Sequence, residues 1–325
     1  MKKFKNFYNT IYGVLERKVE EMKCLNEKEK KFNVLCDEWL SYKRMRIKES
    51  TYSNYKFKIV KYLKKDFGEY TLKKFNNIDI NRYIEDLQET LSDKTIKDII
   101  TVLKSILKYC ERKYDIDFKL DLISLPTSGG SEVEIFNEKE RKKIENYILN
   151  SNDLKEIGVL ISMYSGLRIG EICALRWADI DFDAKKIRVI HTVQRIYLSK
   201  NNSKIIITSP KTKKSVREIP MAKILYKKLR EFSKKYSKND FVISGKDKVI
   251  EPLSYRYTYK KMLNNCNIQY KKFHCLRHTF ATRCVRVGMD VKSLSEVLGH
   301  SNVSVTLGIY VHSSYEIKKK FIDKL

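Results

Sequence analysis

The sequence lacks the features of a membrane or secreted protein. It has no apolar run of the roughly 18 residues that a membrane span needs, and no apolar signal-peptide core follows its basic start. It also has no CxxC pair, and its cysteines are odd in number and irregularly spaced, which favours reduced thiols over disulfides or a zinc site. We therefore expect a cytoplasmic protein. The cysteines are Cys24, Cys36, Cys110, Cys173, Cys266, Cys275 and Cys284.

Acidic residues are scarce relative to basic ones. The chain has 40 Asp and Glu against 67 Lys and Arg, a formal charge of +27 that is spread over its whole length. This excess predicts a polyanionic partner, with nucleic acid first and an anionic membrane surface second. Because an AT-rich genome also raises the lysine content, composition alone does not establish DNA binding.

The length of 325 residues suits two domains. From about residue 31 to 115, apolar residues recur at helical spacing, which predicts a small bundle of four amphipathic helices with basic outer faces. Ser50 and Ser92 each precede one of these helical stripes. The segment 126–131 is rich in glycine and serine, and we place the domain boundary there.

The second half combines helices with a few strands. Asn137 and Glu140 form the pattern of a capping box at a helix start. Segments 186–198 and 204–208 are rich in β-branched residues and predict strands, and 210–215 has the composition of a turn. Residues from about 221 onward are predicted to be helical. The sequence therefore predicts a mostly α fold with a small antiparallel β-sheet.

Four short motifs in the second half supply the groups for one reaction. Together they hold two guanidiniums, two imidazoles and a phenol, which suits attack by a tyrosine on a DNA phosphodiester. Tyr310 is the candidate nucleophile, although its phenol is only about one part in a thousand ionised at neutral pH. The motifs are Ser165-Gly166-Leu167-Arg168-Ile169-Gly170-Glu171, His274-Cys275-Leu276-Arg277-His278, Leu298-Gly299-His300-Ser301 and Gly308-Ile309-Tyr310.

The basic residues of these motifs have separate predicted roles. Arg168 and Arg277 can clamp the two non-bridging oxygens of a phosphate, because each guanidinium is a rigid fork of donors. His274 lies three residues before Arg277, on the same helix face, as a general base or phosphate donor. His300 follows Gly299 at a predicted helix end and can give a second phosphate hydrogen bond.

Three further positions complete the predicted site. Lys211 is the candidate general acid for a 5′-hydroxyl leaving group, but Lys213 and Lys214 share its turn, so the choice among the three stays open. Glu171, three residues after Arg168, is expected to pair with or orient a basic group. His278 is expected to point elsewhere and to be structural.

These motifs resemble those of the tyrosine recombinases, the phage-integrase family, over residues 31–325. Arg168 matches the family's first arginine in its (T/S)-G-L-R-x-G-E setting, and Lys211 matches the lysine between the second and third strands. Because every position is filled, the resemblance implies an active enzyme. The other matches are His274 and Arg277 in H-x-L-R, His300 in L-G-H-x, and Tyr310 as the nucleophile.

The resemblance implies an architecture and a mechanism. Residues 1–30 would be an N-terminal helical extension, 31–120 a helical core-binding (SAM-like) DNA-binding domain, 121–132 a linker and 133–325 the catalytic domain. The two domains would form a C-shaped clamp on double-stranded DNA. A homotetramer would exchange strands through a 3′-phosphotyrosine intermediate and a Holliday junction, without metal, ATP or another cofactor, at the nucleoid.

Within this family the expected activity is integration and excision of a mobile element. A chromosome-dimer resolvase or an inversion recombinase stays open, and so, less favoured, do a type IB topoisomerase-like enzyme and a non-catalytic DNA-binding regulator. A DNA-bending or directionality factor stays open as a partner. Residues 311–325 look like the family's segment that packs on a neighbouring protomer. With about 30 residues before the core-binding region, we do not expect arm-site binding.

Overall fold

The computed structural model describes residues 29–75, 78–126, 133–199, 202–208, 216–300, 302–310 and 322–323. They fall into two compact units: unit 1 within residues 1–130 plus 196–203, and unit 2 within 131–195 plus 204–325. Most of the predicted extension and linker, the turn at 210–215 and nearly all of the tail after Tyr310 lie outside the described residues. The predicted domain limits remain predictions.

The part of unit 1 before residue 126 is helical, as the periodicity predicted. The stripe on the long helix is confirmed, since Ile96, Ile99, Leu103 and Ile106 are all fully buried. Ser92 is the N-cap of that helix, whereas Ser50 lies inside the second helix, which begins at residue 49. The helices are α1 (Phe32–Arg44), α2 (Glu49–Lys58), α3 (Lys64–Phe67), α4 (Leu72–Phe75), α5 (Ile80–Gln88) and α6 (Asp93–Tyr114).

One widened turn, Ile59–Leu63, joins α2 to α3. The backbone N–H of Lys64 bonds to the carbonyl of Ile59, five residues back rather than four. Ile59 and Leu63 are both fully buried across this turn. The chain therefore stays helical through α2 and α3 while both apolar residues face the core.

Unit 2 is organised around a buried helix. In α8, every residue except Tyr164 is buried, so this helix is apolar on all sides, and it packs against α12. The predicted capping box of Asn137 and Glu140 is confirmed at the start of α7. The helices are α7 (Glu138–Leu149), α8 (Ile157–Ser165), α9 (Ile169–Ala174), α10 (Lys223–Ser233), α11 (Pro252–Asn265), α12 (His274–Arg286), α13 (Val291–Leu298) and α14 (Val303–Tyr310).

The strands form two small sheets. Antiparallel strands in the order β1-β2-β5 make the first, in which Ile187 pairs with Ile219 and Val189 with Arg217. The second holds β3 and β4. The strands are β1 (Ile180–Asp181), β2 (Lys186–Val189), β3 (Thr192–Ser199), β4 (Asn202–Thr208) and β5 (Arg217–Pro220).

Composition predicted these sheets incompletely. The segment predicted as one strand at 186–198 is two, because the chain leaves the first sheet after Val189 and enters the second at Thr192. The short strands β1 and β5 were not predicted, and residues 234–251, predicted as largely helical, contain no α-helix. Across the described ranges, no helix is long and apolar enough to cross a bilayer.

Candidate active site

Arg168 is set by the turn between α8 and α9. Gly166 ends α8 with a φ of +66°, and a Cβ there would approach Phe280 to 2.7 Å and Leu298 to 2.8 Å. Glycine is therefore required by both conformation and space. Arg168 is the N-cap of α9, and 38% of its side chain is exposed. The guanidinium is thus held by a tightly packed turn yet reaches solvent.

Arg277 lies beneath this turn. It projects from α12 and is 1% exposed. Its Nη1 donates to the carbonyl of Gly166 and its Nη2 to the carbonyl of Leu298, both at 2.8 Å. Because these acceptors are neutral, they hold the guanidinium in place without cancelling its charge. Arg277 joins the end of α8 to the end of α13.

The turn after α13 brings the third predicted group to the same place. Gly299 ends α13 with a φ of +65°, as predicted, and its carbonyl lies 3.4 Å from Nη2 of Arg168. His300 follows, and its Nδ1 lies 2.8 Å from Oγ1 of the fully buried Thr306 on α14. The structure therefore brings Arg168, Arg277 and His300 together.

His274 stands at the start of α12, one turn before Arg277, so the predicted helical spacing is confirmed. The expectation that His278 points elsewhere is wrong, since its ring packs edge-on against that of His274 at 4.5 Å. Desolvation, with the charges of His278, Arg277 and Arg168, lowers the pKa of His274 to about 4. This imidazole is therefore neutral at pH 7, so one of its ring nitrogens is a hydrogen-bond acceptor.

His300 is also neutral at pH 7. Its burial, together with the positive charges of Arg277 and Arg168, lowers its pKa to about 4. The ring accepts or donates at Nδ1 toward Thr306, and when the threonine hydroxyl donates there, Nε2 carries the proton. In that tautomer His300 is a hydrogen-bond donor for an anionic oxygen.

Glu171 links Arg168 to a second arginine. The carboxylate is buried and accepts from Nη1 of Arg168 at 3.0 Å, which confirms that it pairs with a basic group. It also accepts two bonds from Arg217 at 3.0 and 3.1 Å. Burial alone would raise the pKa of Glu171, but the ion pair with Arg217 and the charge of Arg168 hold it below its usual value.

The sequence interpretation missed Arg217 and Thr306. Arg217 opens β5 in a register of alternating buried and exposed residues that places it on the same face as buried Ile219. That alternation was a detectable signal, because an arginine on the inward face of a strand needs a partner. Thr306 precedes Tyr310 by one helical turn, so the i, i+4 spacing pointed to it.

Two predicted residues are less fully described. Tyr310 is the last residue of α14, and only its backbone is described. Lys211, with Lys213 and Lys214, lies outside the described residues. The described part of the site offers one half-exposed guanidinium, one buried guanidinium and two neutral imidazoles. This set matches the donors that an anionic phosphate needs.

Comparison with known proteins gives the context of this arrangement. Residues 133–316 match the model of the phage integrase family, and residues 31–107 match the phage integrase N-terminal SAM-like domain. The XerC-like tyrosine recombinase of Caldanaerobacter subterraneus is 31% identical over 315 residues, covering 87% of this chain and 79% of that protein. The ICEBs1 integrase of Bacillus subtilis is 24% identical over 96% of this chain and 87% of that protein.

Solved structures share the fold. The Tn1549 transposon integrase, solved in complex with a circular intermediate DNA, superposes with a TM-score of 0.71 at 21% identity, over 90% of this chain and 99% of that one. A lambda integrase dimer bound to a core site superposes with a TM-score of 0.64 at 15% identity, over 90% of this chain and 80% of that one. The predicted mostly helical fold with a small sheet is confirmed. With most of its second half matched by the family model, the chain belongs to the phage integrase family of tyrosine recombinases.

Proposed function

We propose that this protein is a site-specific DNA recombinase that integrates and excises a mobile element. One observation carries the proposal: Arg277 bonds to the ends of both α8 and α13, and Arg168 contacts the carbonyl of Gly299, so that Arg168, Arg277 and His300 lie close together at one point. The helix α14, which ends at Tyr310, is fixed to this point through Thr306 and His300. A scissile phosphate fits there, with its charge facing the arginines.

The cleavage step follows from these groups. The phenol oxygen of Tyr310 attacks the phosphorus, a P–O bond to tyrosine forms, and the bond to the 5′ oxygen breaks. Neutral His274 takes the phenolic proton, and Lys211, or a lysine of the same turn, protonates the leaving 5′ hydroxyl. Arg168 and Arg277 stabilise the charge that gathers on the non-bridging oxygens, a contribution worth about 3–4 kcal/mol per lost donor.

Rejoining is the reverse of this step with another strand. A 5′ hydroxyl from the partner duplex attacks the 3′-phosphotyrosine, its proton passes to the lysine, and Tyr310 leaves with a proton from His274. One phosphodiester is exchanged for another of similar energy. The cycle therefore balances without ATP, a metal or another cofactor.

The proposed assembly is a homotetramer on two DNA sites, joined through a Holliday junction, at the nucleoid in the cytoplasm. We assign residues 31–120 to DNA binding and 133–325 to catalysis, with 121–132 as linker. The formal charge of +27 supports a polyanionic substrate. An accessory DNA-bending or directionality factor would bind beside the tetramer.

The assignment to a mobile element draws on the relatives. Besides the ICEBs1 integrase, the transposase of transposon Tn916 is 26% identical over 232 residues, covering 64% of this chain and 54% of that protein. The second candidate is a recombinase that resolves chromosome dimers. Both candidates use the same chemistry and differ in their DNA sites.

The test is a covalent DNA capture. Tagged wild type and Tyr310→Phe are expressed in cells that carry the native locus, the cells are lysed in denaturing detergent, and attached DNA is sequenced. DNA focused at the ends of an element, from wild type alone, is the expected result. Focus on one chromosomal site outside any element supports the resolvase. Unfocused DNA supports a topoisomerase, and equal DNA from both proteins removes Tyr310 as the nucleophile.

A further inference from the structure

Arg217 lies behind the predicted site residues and is almost fully buried. Its side chain is 6% exposed and projects inward from the first residue of β5. Nε donates to the carbonyl of Val297 at 2.6 Å, near the end of α13. A Cβ at Gly299 would approach Nη1 to 3.0 Å, so a glycine there lets the guanidinium lie against the turn that carries His300.

The carboxylate of Glu171 has a full set of hydrogen bonds. Its Oε1 accepts from Nη1 of Arg168 at 3.0 Å and from Nη1 of Arg217 at 3.1 Å. Its Oε2 accepts from the backbone N–H of Arg168 at 2.8 Å and from Nη2 of Arg217 at 3.0 Å. A carboxylate has about four acceptor sites, so two are filled by each arginine. Glu171 is thus shared between the buried guanidinium of Arg217 and the partly exposed guanidinium of Arg168.

This sharing determines whether Arg168 and its partners present a net positive charge to an anion. With Glu171 and Arg168 alone, one negative and one positive charge would cancel, and the guanidinium would bind an anion weakly. Arg217 adds a buried positive charge, so Arg168, Glu171 and Arg217 carry two positive charges against one negative charge. Because interactions are stronger in a partly buried site than in water, this added charge favours phosphate.

We propose that Arg217 is a positioning residue for strand transfer: it takes up the charge of Glu171, so that Arg168 stays both oriented and positive toward the scissile phosphate. The inference rests on the proposed function and extends it to a residue that contacts neither DNA nor the reacting atoms. Through Val297 and Gly299, the same guanidinium steadies the turn before His300.

The experiment measures single-turnover cleavage on a short duplex that carries the captured site. One version has the natural scissile phosphate, and the other has a methylphosphonate, in which a methyl group replaces one charged oxygen. The variants are Arg217→Met, Arg217→Lys and the double variant Arg217→Met with Glu171→Gln. Wild type is measured first. If wild type forms no Tyr310-dependent adduct, the proposed function fails before any Arg217 variant is judged.

On the natural phosphate, Arg217→Met is expected to cleave about 10²-fold more slowly, the size of effect seen when one transition-state donor is lost. The double variant removes the leftover negative charge and is expected to recover most of that rate. Arg217→Lys keeps the charge but loses the forked donors of the guanidinium, so its cleavage rate should lie between those of Arg217→Met and the double variant. On the methylphosphonate, which carries no charge, the deficit of Arg217→Met should largely disappear.

A purely structural role gives a different pattern. Arg217→Met would then lose the same factor on both substrates, and the double variant would be no faster than the single one; either result overturns the proposal. If Arg217→Met does not fold, the double variant, which buries no lone carboxylate, carries the same test. Arg141→Met is the matched control, because it breaks the partly buried pair with Glu145 and should leave the ratio of the two substrates unchanged.

Discussion

The two units bury very different side chains. Among the described residues of unit 1, the buried polar side chain is Ser53, and the core is otherwise apolar. Unit 2 buries seven charged side chains besides Arg277 within its described part. They are Arg141, Glu145, Glu156, Glu171, Asp179, Arg217 and Lys228.

This difference separates folding from chemistry. A purely apolar core stabilises a helical bundle through burial, and its Lys and Arg stay solvated on the outside, where they attract DNA in a salt-dependent way. Buried charges cost desolvation and are weak evidence of stability. In unit 2, Glu171 and Arg217 lie behind Arg168, next to the place that we propose for the scissile phosphate. We propose that these buried charges preorganise donors rather than stabilise the fold.

The largest expected effect comes from Arg277→Lys. The ammonium keeps the charge but cannot reach the carbonyls of both Gly166 and Leu298 as the guanidinium fork does. Cleavage should fall about 10²- to 10³-fold, measured as single-turnover adduct formation. Arg286→Lys is the control, because this arginine is exposed on the same helix. Equal rates for the two variants would mean that buried charge geometry does not set the chemistry.

The sequence predicted unit 1 better than unit 2. An apolar stripe such as Ile96 to Leu107 is detectable because burial follows the helical period directly. The partner of Glu171 was not detected, because Arg217 is 46 residues away and meets it only through the pairing of β5 with β2. The motifs contain Arg168, Arg277 and His300, which the fold brings together, whereas Arg217 behind them is placed by tertiary contacts.

A second prediction concerns the charges of unit 1. Lys108 and Arg112 are exposed on α6, beside the cleft lined by Trp39 and Tyr42. If both contact phosphates, changing them to glutamine should lower the slope of log affinity against log salt by about 1.8. The loss of affinity between 50 and 200 mM salt would then be roughly tenfold smaller than in the wild type. Cleavage at saturating DNA should be unchanged. Binding is measured by fluorescence anisotropy over a salt series.

The control for this pair lies in unit 2. Lys234 and Lys235 are also exposed, and their change to glutamine removes the same net charge. If both pairs reduce the slope equally, total charge rather than the surface of α6 governs binding. If the α6 pair slows cleavage at saturation, the division of labour between the units is wrong.

A smaller effect is expected at Thr306. Changing it to valine removes the hydroxyl that meets Nδ1 of His300, so the ring is free to change tautomer. The loss of about 1 kcal/mol of hydrogen-bond energy corresponds to roughly fivefold slower cleavage. Thr306→Ser keeps the hydroxyl and should cleave at nearly the wild-type rate. A valine variant as fast as the serine variant would show that this contact does not orient the imidazole.

The last prediction concerns stability rather than cleavage, and it should separate the units by pH. Every histidine of the chain lies between residues 191 and 312, outside unit 1. The pKa values of His274 and His300 are lowered to about 4, so between pH 4 and 6.5 the unfolded chain binds more protons than the folded one. The free energy of unfolding of unit 2 should therefore rise with pH through this window and gain nothing more above it.

Each unit contains one buried tryptophan, Trp39 in unit 1 and Trp177 in unit 2, so fluorescence can follow urea unfolding of each separately. In a Trp39→Phe background, replacing His274 and His300 by glutamine should reduce the pH dependence reported by Trp177, leaving the contribution of His278, whose pKa burial also lowers. In a Trp177→Phe background, the same replacement should leave the Trp39 transition unaltered at every pH. If the Trp177 transition does not respond, the two imidazoles are not desolvated, and unit 2 does not hold them neutral at pH 7.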